Sequence, residues 1–416
     1  MLFLQGMRKL FVGIRRIWGV DDEPVSFRAG EEMSVVESVS NAWLLVENGR
    51  ISGWGSMDEH LPGADEVIDL GHCEVLPGLV DSHTHVVFAE PRTQEWEMRI
   101  KGATYEEIAA SGGGILNSAQ KLRNKDESLL FDESLLRVQR MMEYGTTCIE
   151  IKSGYGLSFD SEIKMLRVAR KLGEKLPVTI KTTFLGAHAI PAEYKSNREG
   201  YLKLIIEQML PAVSAEGLAD HVDVFCDRGF FTPDETIRIL EAADKLGLPG
   251  KIHANELGIT GGVQAAVHAR AWSADHLEHI GNEEIECLLN SEVIPVGLPG
   301  TSYFLGIPYA PGRKMIDSGL PFALASDFNP GSSPVCSLQM IWSLACTQMK
   351  LMPSEAFHAI TINAARALRQ EKELGSIMVG KRADFWATDS LNAIQTIPYY
   401  FGVNHARKVF VEGNQI

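Results

Sequence analysis

Two histidines one residue apart, His83 and His85, close an apolar run that begins at Pro77. In an extended strand alternate side chains share a face, so both imidazoles would point one way and Thr84 the other. Two ring nitrogens side by side begin a site for a borderline cation such as zinc or ferrous iron. Taken alone, the pair fits ordinary core or surface histidines equally well, so the rest of the chain must supply its partners. Two stretches do. His253-Ala254-Asn255-Glu256 and Ser326-Asp327-Phe328-Asn329-Pro330-Gly331 each place a ligand-type side chain at the end of a short apolar run. His83, His85, His253 and Asp327 together make a mixed nitrogen and oxygen set with room for water. That is the composition of a catalytic rather than a closed structural metal centre.

The elements that must position these residues can be read from periodicity. From about residue 78 to 365, short apolar runs alternate with longer amphipathic segments, the pattern of parallel strands covered by helices. Strands are expected at 75–81, 147–152, 178–185, 222–226, 250–253, 273–276, 293–297 and 322–326. Eight such strands close a β/α barrel, which carries its chemistry at the carboxyl ends of the strands, where all four candidate ligands fall. Thr232-Pro233-Asp234-Glu235 forms a capping box ahead of one helix that stops at Gly247, and an apolar stripe from Asp132 to Tyr144 stops at Gly145. Short β-like runs with turns at 47–50 and 412–414 mark both ends of the chain, which implies a small β domain assembled from the two termini. The partition is 1–77 and 371–416 for that domain and 78–370 for the barrel. The stretch from Gly375 to Arg382 imitates a phosphate loop, but it ends in arginine where a hydroxyl should bind magnesium.

Bulk properties narrow the function. A chain of 416 residues can bury a large core without staples, and its six cysteines are scattered with no Cys-x-x-Cys spacing, so a reducing cytoplasm is expected. Charged pairs interrupt the first apolar patches, and no export signal or membrane anchor is read there. A formal net charge of -15 argues against nucleic acid as a partner.

The chain resembles the amidohydrolase superfamily over nearly its whole length. The motifs that carry the resemblance, beyond the ligand set, are Phe88-Ala89-Glu90-Pro91-Arg92, Ser111-Gly112-Gly113-Gly114-Ile115, Glu150-Ile151-Lys152-Ser153-Gly154-Tyr155-Gly156, Phe184-Leu185-Gly186-Ala187-His188 and Ser273-Ala274-Asp275-His276-Leu277. The resemblance implies a distorted (β/α)8 barrel with a small β-sandwich from both termini. It further implies hydrolysis of the cyclic amide of 4-imidazolone-5-propanoate to N-formimidoyl-L-glutamate in histidine degradation. Members with two metals usually present a modified lysine, or a carboxylate in its place, at the end of the fourth strand. That strand here reads Val222 to Cys226 with Asp227 beyond it, and Lys152 lies on the second strand. One divalent ion, zinc or iron, is therefore expected on His83, His85, His253 and Asp327, with Asp227 as the residue that leaves the count open.

Such an ion lowers the pKa of bound water from about 15.7 towards roughly 7 and so generates hydroxide at neutral pH. Asp327 is expected to accept the water's proton, His276 to stabilise the oxyanion or shuttle a proton, and Glu256 to contact the ring nitrogens. A substrate with a propionate needs a local cation in an acidic protein, and Arg92 can grip a carboxylate with a bidentate fork. Tyr155 and His188 would add hydrogen bonds, as the resemblance implies, and Asn329, Gly331 and Ser332 could bind substrate or product. The glycines at 112 to 114 fit either a closing loop or a plain turn. His279 reads as a helix-start or supporting residue, and His60, His72, His221, His268, His358 and His405 as surface or structural ones. A homodimer is the expected assembly. The rival activity is deamination of a cytosine-like or guanine-like base, since those relatives share the ligand set but would not need the Arg92 group. An inactive barrel acting as a scaffold would tend to lose ligands, and all four are kept.

Overall fold

The computed structural model describes residues 7–104, 107, 113–391 and 393–416, so Ser111 and Gly112 of the glycine-rich stretch lie outside the described residues. The chain opens with β1 (Arg8–Trp18), β2 (Ser38–Glu47), β3 (Arg50–Ser56) and β4 (Glu66–Pro77). β1 pairs antiparallel to β2 and parallel to β4. Asn48 and Gly49, with φ of 53° and 75°, form the tight turn between β2 and β3 that the sequence suggested.

The expected strand 75–81 is two strands in two sheets. Pro77 ends β4, and the chain crosses at Gly78 into the barrel strand β5 (Leu79–Asp81). A Cβ on Gly78 would lie 2.1 Å from Oγ1 of Thr147, so only glycine passes this close to the next barrel strand. The barrel continues with β6 (Thr146–Lys152), β7 (Thr179–Ala187), β8 (His221–Cys226), β9 (Gly250–Ala254), β10 (Ser273–His276), β11 (Ile294–Gly297) and β12 (Ala323–Leu324). All eight run parallel, in ladder order from β5 to β12. Helices cover them. The one beginning at Pro233 has the expected capping box on Thr232 and Glu235, whereas the helix expected from Asp132 starts earlier, at Glu127, capped by Asp126.

The chain then returns to the first sheet with β13 (Phe385–Thr388), β14 (Lys408–Val411) and β15 (Asn414–Gln415). The resulting seven-stranded sheet has β4 against β13 at its middle, so both termini build it. Its core is a triangle of Phe11, Phe385 and Phe410, with ring centroids 4.6 to 5.3 Å apart. Lys381, in the stretch that imitates a phosphate loop, turns inward to donate to Leu374 O and Ser376 Oγ.

β5 and β12 stand at opposite ends of the ladder order, and side chains help to close the gap between them. The expected run 322–326 stops at Leu324 because Ser326 turns to Asp81, its N and Oγ donating to the two carboxylate oxygens at 3.0 and 2.5 Å. Asp327 N then donates to His83 O, and His85 N to Phe328 O. The candidate ligands thus straddle the closure of the barrel. Asp81→Ala leaves two buried donors unpaired and is expected to destabilise the protein by about 2–4 kcal/mol. Denaturant unfolding measures this, and a change below about 0.5 kcal/mol, the range of neutral surface substitutions, would show that the clamp does not hold the barrel shut.

Candidate active site

The turns that leave the barrel strands bring the candidate ligands to one place. Nε2 of His83 and Nε2 of His85 each lie 3.6 Å from Oδ1 of Asp327. The ring of His253, near the end of β9, lies 4.5 Å from His83 and 5.5 Å from His85. One donor nitrogen from each of the three imidazoles falls within 4.8 Å of the other two. All four residues are buried. Nδ1 of His83 donates to Oδ2 of Asp275 at 2.6 Å, which leaves the lone pair of Nε2 facing Asp327. Nδ1 of His253 lies 3.0 Å from Oδ2 of Asp223, though out of line for a hydrogen bond. Thr301 Oγ1 donates to Oδ2 of Asp327.

Burial, and after it the charges of Lys152 and neighbouring imidazoles, hold His83 and His85 well below the ordinary histidine value, so both stay neutral. Burial pushes the Asp327 carboxyl up, with His276 and Thr301 opposing it. Nε2 of His83 and both ring nitrogens of His253 are buried without a hydrogen-bond partner. Buried polar atoms are nearly always satisfied, and imidazoles converging on a carboxylate lack only a cation. The residues fit a divalent metal ion.

Beside this cluster, His276 and Leu277 take left-handed backbone conformations, φ 84° and 65°, that turn the chain back on itself. Glu278 Oε1 thereby comes within 3.4 Å of Nδ1 of His276, while Nε2 lies 3.6 Å from Oε2 of Glu256. Burial works against a charge on His276, but Glu256 and Glu278 outweigh it and push the imidazole up to about 10. Burial raises Glu256 to about 7, with His276 opposing.

On another side stand Tyr155 and His188. His188 stacks on His85 at 5.3 Å, donates Nδ1 to Gly154 O, and is kept neutral by burial, its pKa lowered to about 3. The Tyr155 ring lies 5.7 Å from that of His85 and 5.5 Å from that of His188. Arg92 places its guanidinium carbon 5.7 Å from the Tyr155 ring centroid and donates Nε to Ser118. A Cβ on Gly331 would lie 2.6 Å from Nη1 of Arg92, so a side chain there would push the guanidinium aside. Among the described residues no acidic side chain forms an ion pair with Arg92. Asn329 uses its amide on the turn itself, bonding Asp327 O, Gly331 N and both N and Oγ of Ser332.

The amidohydrolase family model matches residues 75–416. Relatives named imidazolonepropionase match almost end to end. That of Flavobacterium johnsoniae is 46% identical over 99% of this chain and 100% of its own length, and that of Geobacillus kaustophilus is 44% identical over 99% and 98%. The chain belongs to the amidohydrolase family, among the imidazolonepropionases. Solved amidohydrolase-like structures share its fold at lower identity. A guanine deaminase from C. acetobutylicum superposes with a TM-score of 0.70 at 17% identity, over 98% of this chain and 100% of that one. The E. coli guanine deaminase superposes at 0.75 and 13%, over 98% of each chain. Likeness at that level speaks for the fold.

In this amidohydrolase, Asp227 uses both carboxylate oxygens on backbone groups. Its two oxygens accept from the backbone N–H of Arg228 and Leu257 at 2.6 and 2.8 Å. His279 N donates to Asn255 O. His221 is buried against Trp272 at 4.8 Å, His358 bonds Val35 O, and the side chain of His268 is 62% exposed. Reading the residues alone gave no role to Asp223, Asp275 or Glu278. The signal was present, because a carboxylate inside a parallel strand or at its mouth needs a partner in a place normally apolar. Stripping the protein with a chelator and restoring zinc or ferrous ion at 1,000 times its Kd is expected to add about 4 kcal/mol of stability. Calorimetry of both forms reads this, and identical unfolding temperatures would remove the metal assignment.

Proposed function

We propose that the chain hydrolyses the cyclic amide bond of 4-imidazolone-5-propanoate to N-formimidoyl-L-glutamate, a step of histidine degradation. The observation that carries this reading is an Arg92 guanidinium with no acidic partner among the described residues, 5.7 Å from the Tyr155 ring that flanks the imidazole cluster, in a chain about 45% identical to imidazolonepropionases. One zinc or ferrous ion on His83, His85, His253 and Asp327 would supply an acidified water and polarise the amide carbonyl. Asp327, with Oδ2 held by Thr301, takes the proton of the attacking water at its carboxylate. His276, cationic between Glu256 and Glu278, faces the negative charge that develops on the carbonyl oxygen. Glu256, its carboxyl near neutrality, contacts the ring nitrogens. Arg92 grips the propionate, Tyr155 and His188 bond to the substrate beside it, and Gly331 and Ser332, shaped by Asn329, form the adjoining wall.

Deamination of a nucleobase has a weaker footing, since deaminases enter only as fold neighbours and a neutral base would not use Arg92. Six free cysteines support a reducing, cytoplasmic setting, and among the described residues no helix is long and apolar enough to cross a membrane. The decisive measurement follows loss of imidazolone absorbance with the purified protein. Arg92→Ala is expected to raise KM about 100-fold with kcat little changed, and Asp327→Ala to lower kcat by at least about 1,000-fold. Nucleobase deamination without imidazolone turnover, or equal small effects from both substitutions, would refute the reading.

A further inference from the structure

Below the ligand cluster, where barrels of this class pack branched apolar side chains, this one packs charges. Glu150 and Lys152 on β6, Asp223 on β8, Lys251 on β9 and Asp275 on β10 have side chains with no exposed surface. An uncompensated charge in such a place costs several kcal/mol, so the arrangement must satisfy itself. It does so through two ammonium groups. Nζ of Lys152 lies 2.7 Å from Oδ2 of Asp223, 2.9 Å from Oε2 of Glu150 and 3.7 Å from Oδ2 of Asp275. Nζ of Lys251 donates to Ser82 O at 2.8 Å and to Oε2 of Glu150 at 3.1 Å, and lies 3.7 Å from Oδ2 of Asp275. Thr183 Oγ1 donates to Glu150 from β7.

The oxygens that Lys152 holds are the ones that face the ligand imidazoles. Oδ2 of Asp275 accepts the hydrogen bond of His83 Nδ1–H, and Oδ2 of Asp223 lies 3.0 Å from His253 Nδ1, while Oδ1 of Asp223 accepts the backbone N–H of His253. We propose that Lys152 is a positioning residue of the metal centre, bridging Asp223 and Asp275 so that Asp275 fixes the ring direction and tautomer of His83 while Asp223 holds the backbone of His253. Glu150 and Lys251 complete the frame. Burial works against the Lys152 ammonium, yet Asp223, Glu150 and Asp275 hold it above the ordinary lysine range.

This inference rests on the metal reading of the site and is independent of the substrate. Its sign separates it from simple electrostatics. If Lys152 acted on the metal only as a nearby positive charge, replacing it with a neutral residue would tighten divalent cation binding. Positioning requires the opposite, with a loss of about 10- to 100-fold, the usual effect of removing a group that orients a metal-ligating histidine. The test titrates zinc into metal-free protein in competition with a chromophoric chelator, for the unaltered chain, Lys152→Met, Asp275→Asn and the double variant. Zinc affinity should fall in Lys152→Met, and the double variant should lose less than the sum of the two single losses, because Lys152 acts in part through Asp275. Lys152→Gln keeps a donor on that side chain and should recover part of the loss, which gives a second readout if Lys152→Met does not fold. Unchanged or tighter zinc binding in either Lys152 variant, or fully additive losses, would overturn the proposal. Failure of the unaltered chain to bind zinc would overturn the metal reading first, and this one with it.

Discussion

The hydrogen bond from His83 Nδ1 to Asp275, 2.6 Å long and without solvent access, constrains most of what surrounds it. A histidine that ligates a metal must be neutral and must present a chosen nitrogen, and a carboxylate on the other nitrogen settles both. That carboxylate sits where water cannot compensate it, so the barrel interior has to provide cations. Lys152 and Lys251 are the result, and Glu150 and Asp223 balance them in turn. A single requirement at the mouth of β5 thus propagates through β6, β8, β9 and β10. The apolar packing moves outward, to the layer between the strands and helices, where residues such as Phe184, Ile252, Trp342 and Phe357 are buried.

The same strand has a second duty. β5 is only three residues long and must pair with β6 on one side while meeting the chain that follows β12 on the other. Asp81 performs the second task from within the strand, and His83 and His85 perform it through backbone groups just beyond. Placing ligands on both sides of the closure means that a bound cation would tie the first and last strands directly. The terminal sheet contributes by fixing where β5 begins, because β4 runs into it through Pro77 and Gly78, and β13 pins Pro77 opposite Phe385.

How far the sequence carried follows from these particulars. Strand alternation and the position of ligand-type residues after apolar runs were enough to find His83, His85, His253 and Asp327, because those cues are local. The capping box at Thr232 and the Asn48-Gly49 turn were legible for the same reason. The break at Gly78 was not, since it reflects a contact with Thr147 that no local pattern announces. Asp81 and Ser326 are 245 residues apart, and the demand that joins them exists only once the barrel closes. Glu278 reaches His276 because two residues lacking glycine's freedom adopt positive φ, which propensity would have argued against. Arg92 was singled out by a different route, from the charge the expected substrate would carry, and the fold leaves it without an acidic partner among the described residues.

Positive φ at Asn255, His276, Leu277 and Asp327 places four non-glycine residues of the site in a conformation that costs roughly 1 kcal/mol or more each. Such strain persists only where the surroundings leave no alternative. At His276 the alternative is blocked by carboxylates facing both ring nitrogens, and at Asp327 by the bond of its N–H to His83 O and of Oδ2 to Thr301. At Asn255 the backbone carbonyl accepts the backbone N–H of His279. The strained turns lie at the ends of strands whose sides are secured by ladders and buried ion pairs, so relaxing any one of them would mean breaking a neighbouring strand's contacts. Rigidity at the metal cluster and charge inside the barrel are therefore two aspects of one design. The ion pairs stiffen the strands, and the stiff strands hold side chains in positions that a looser apolar core would let them leave.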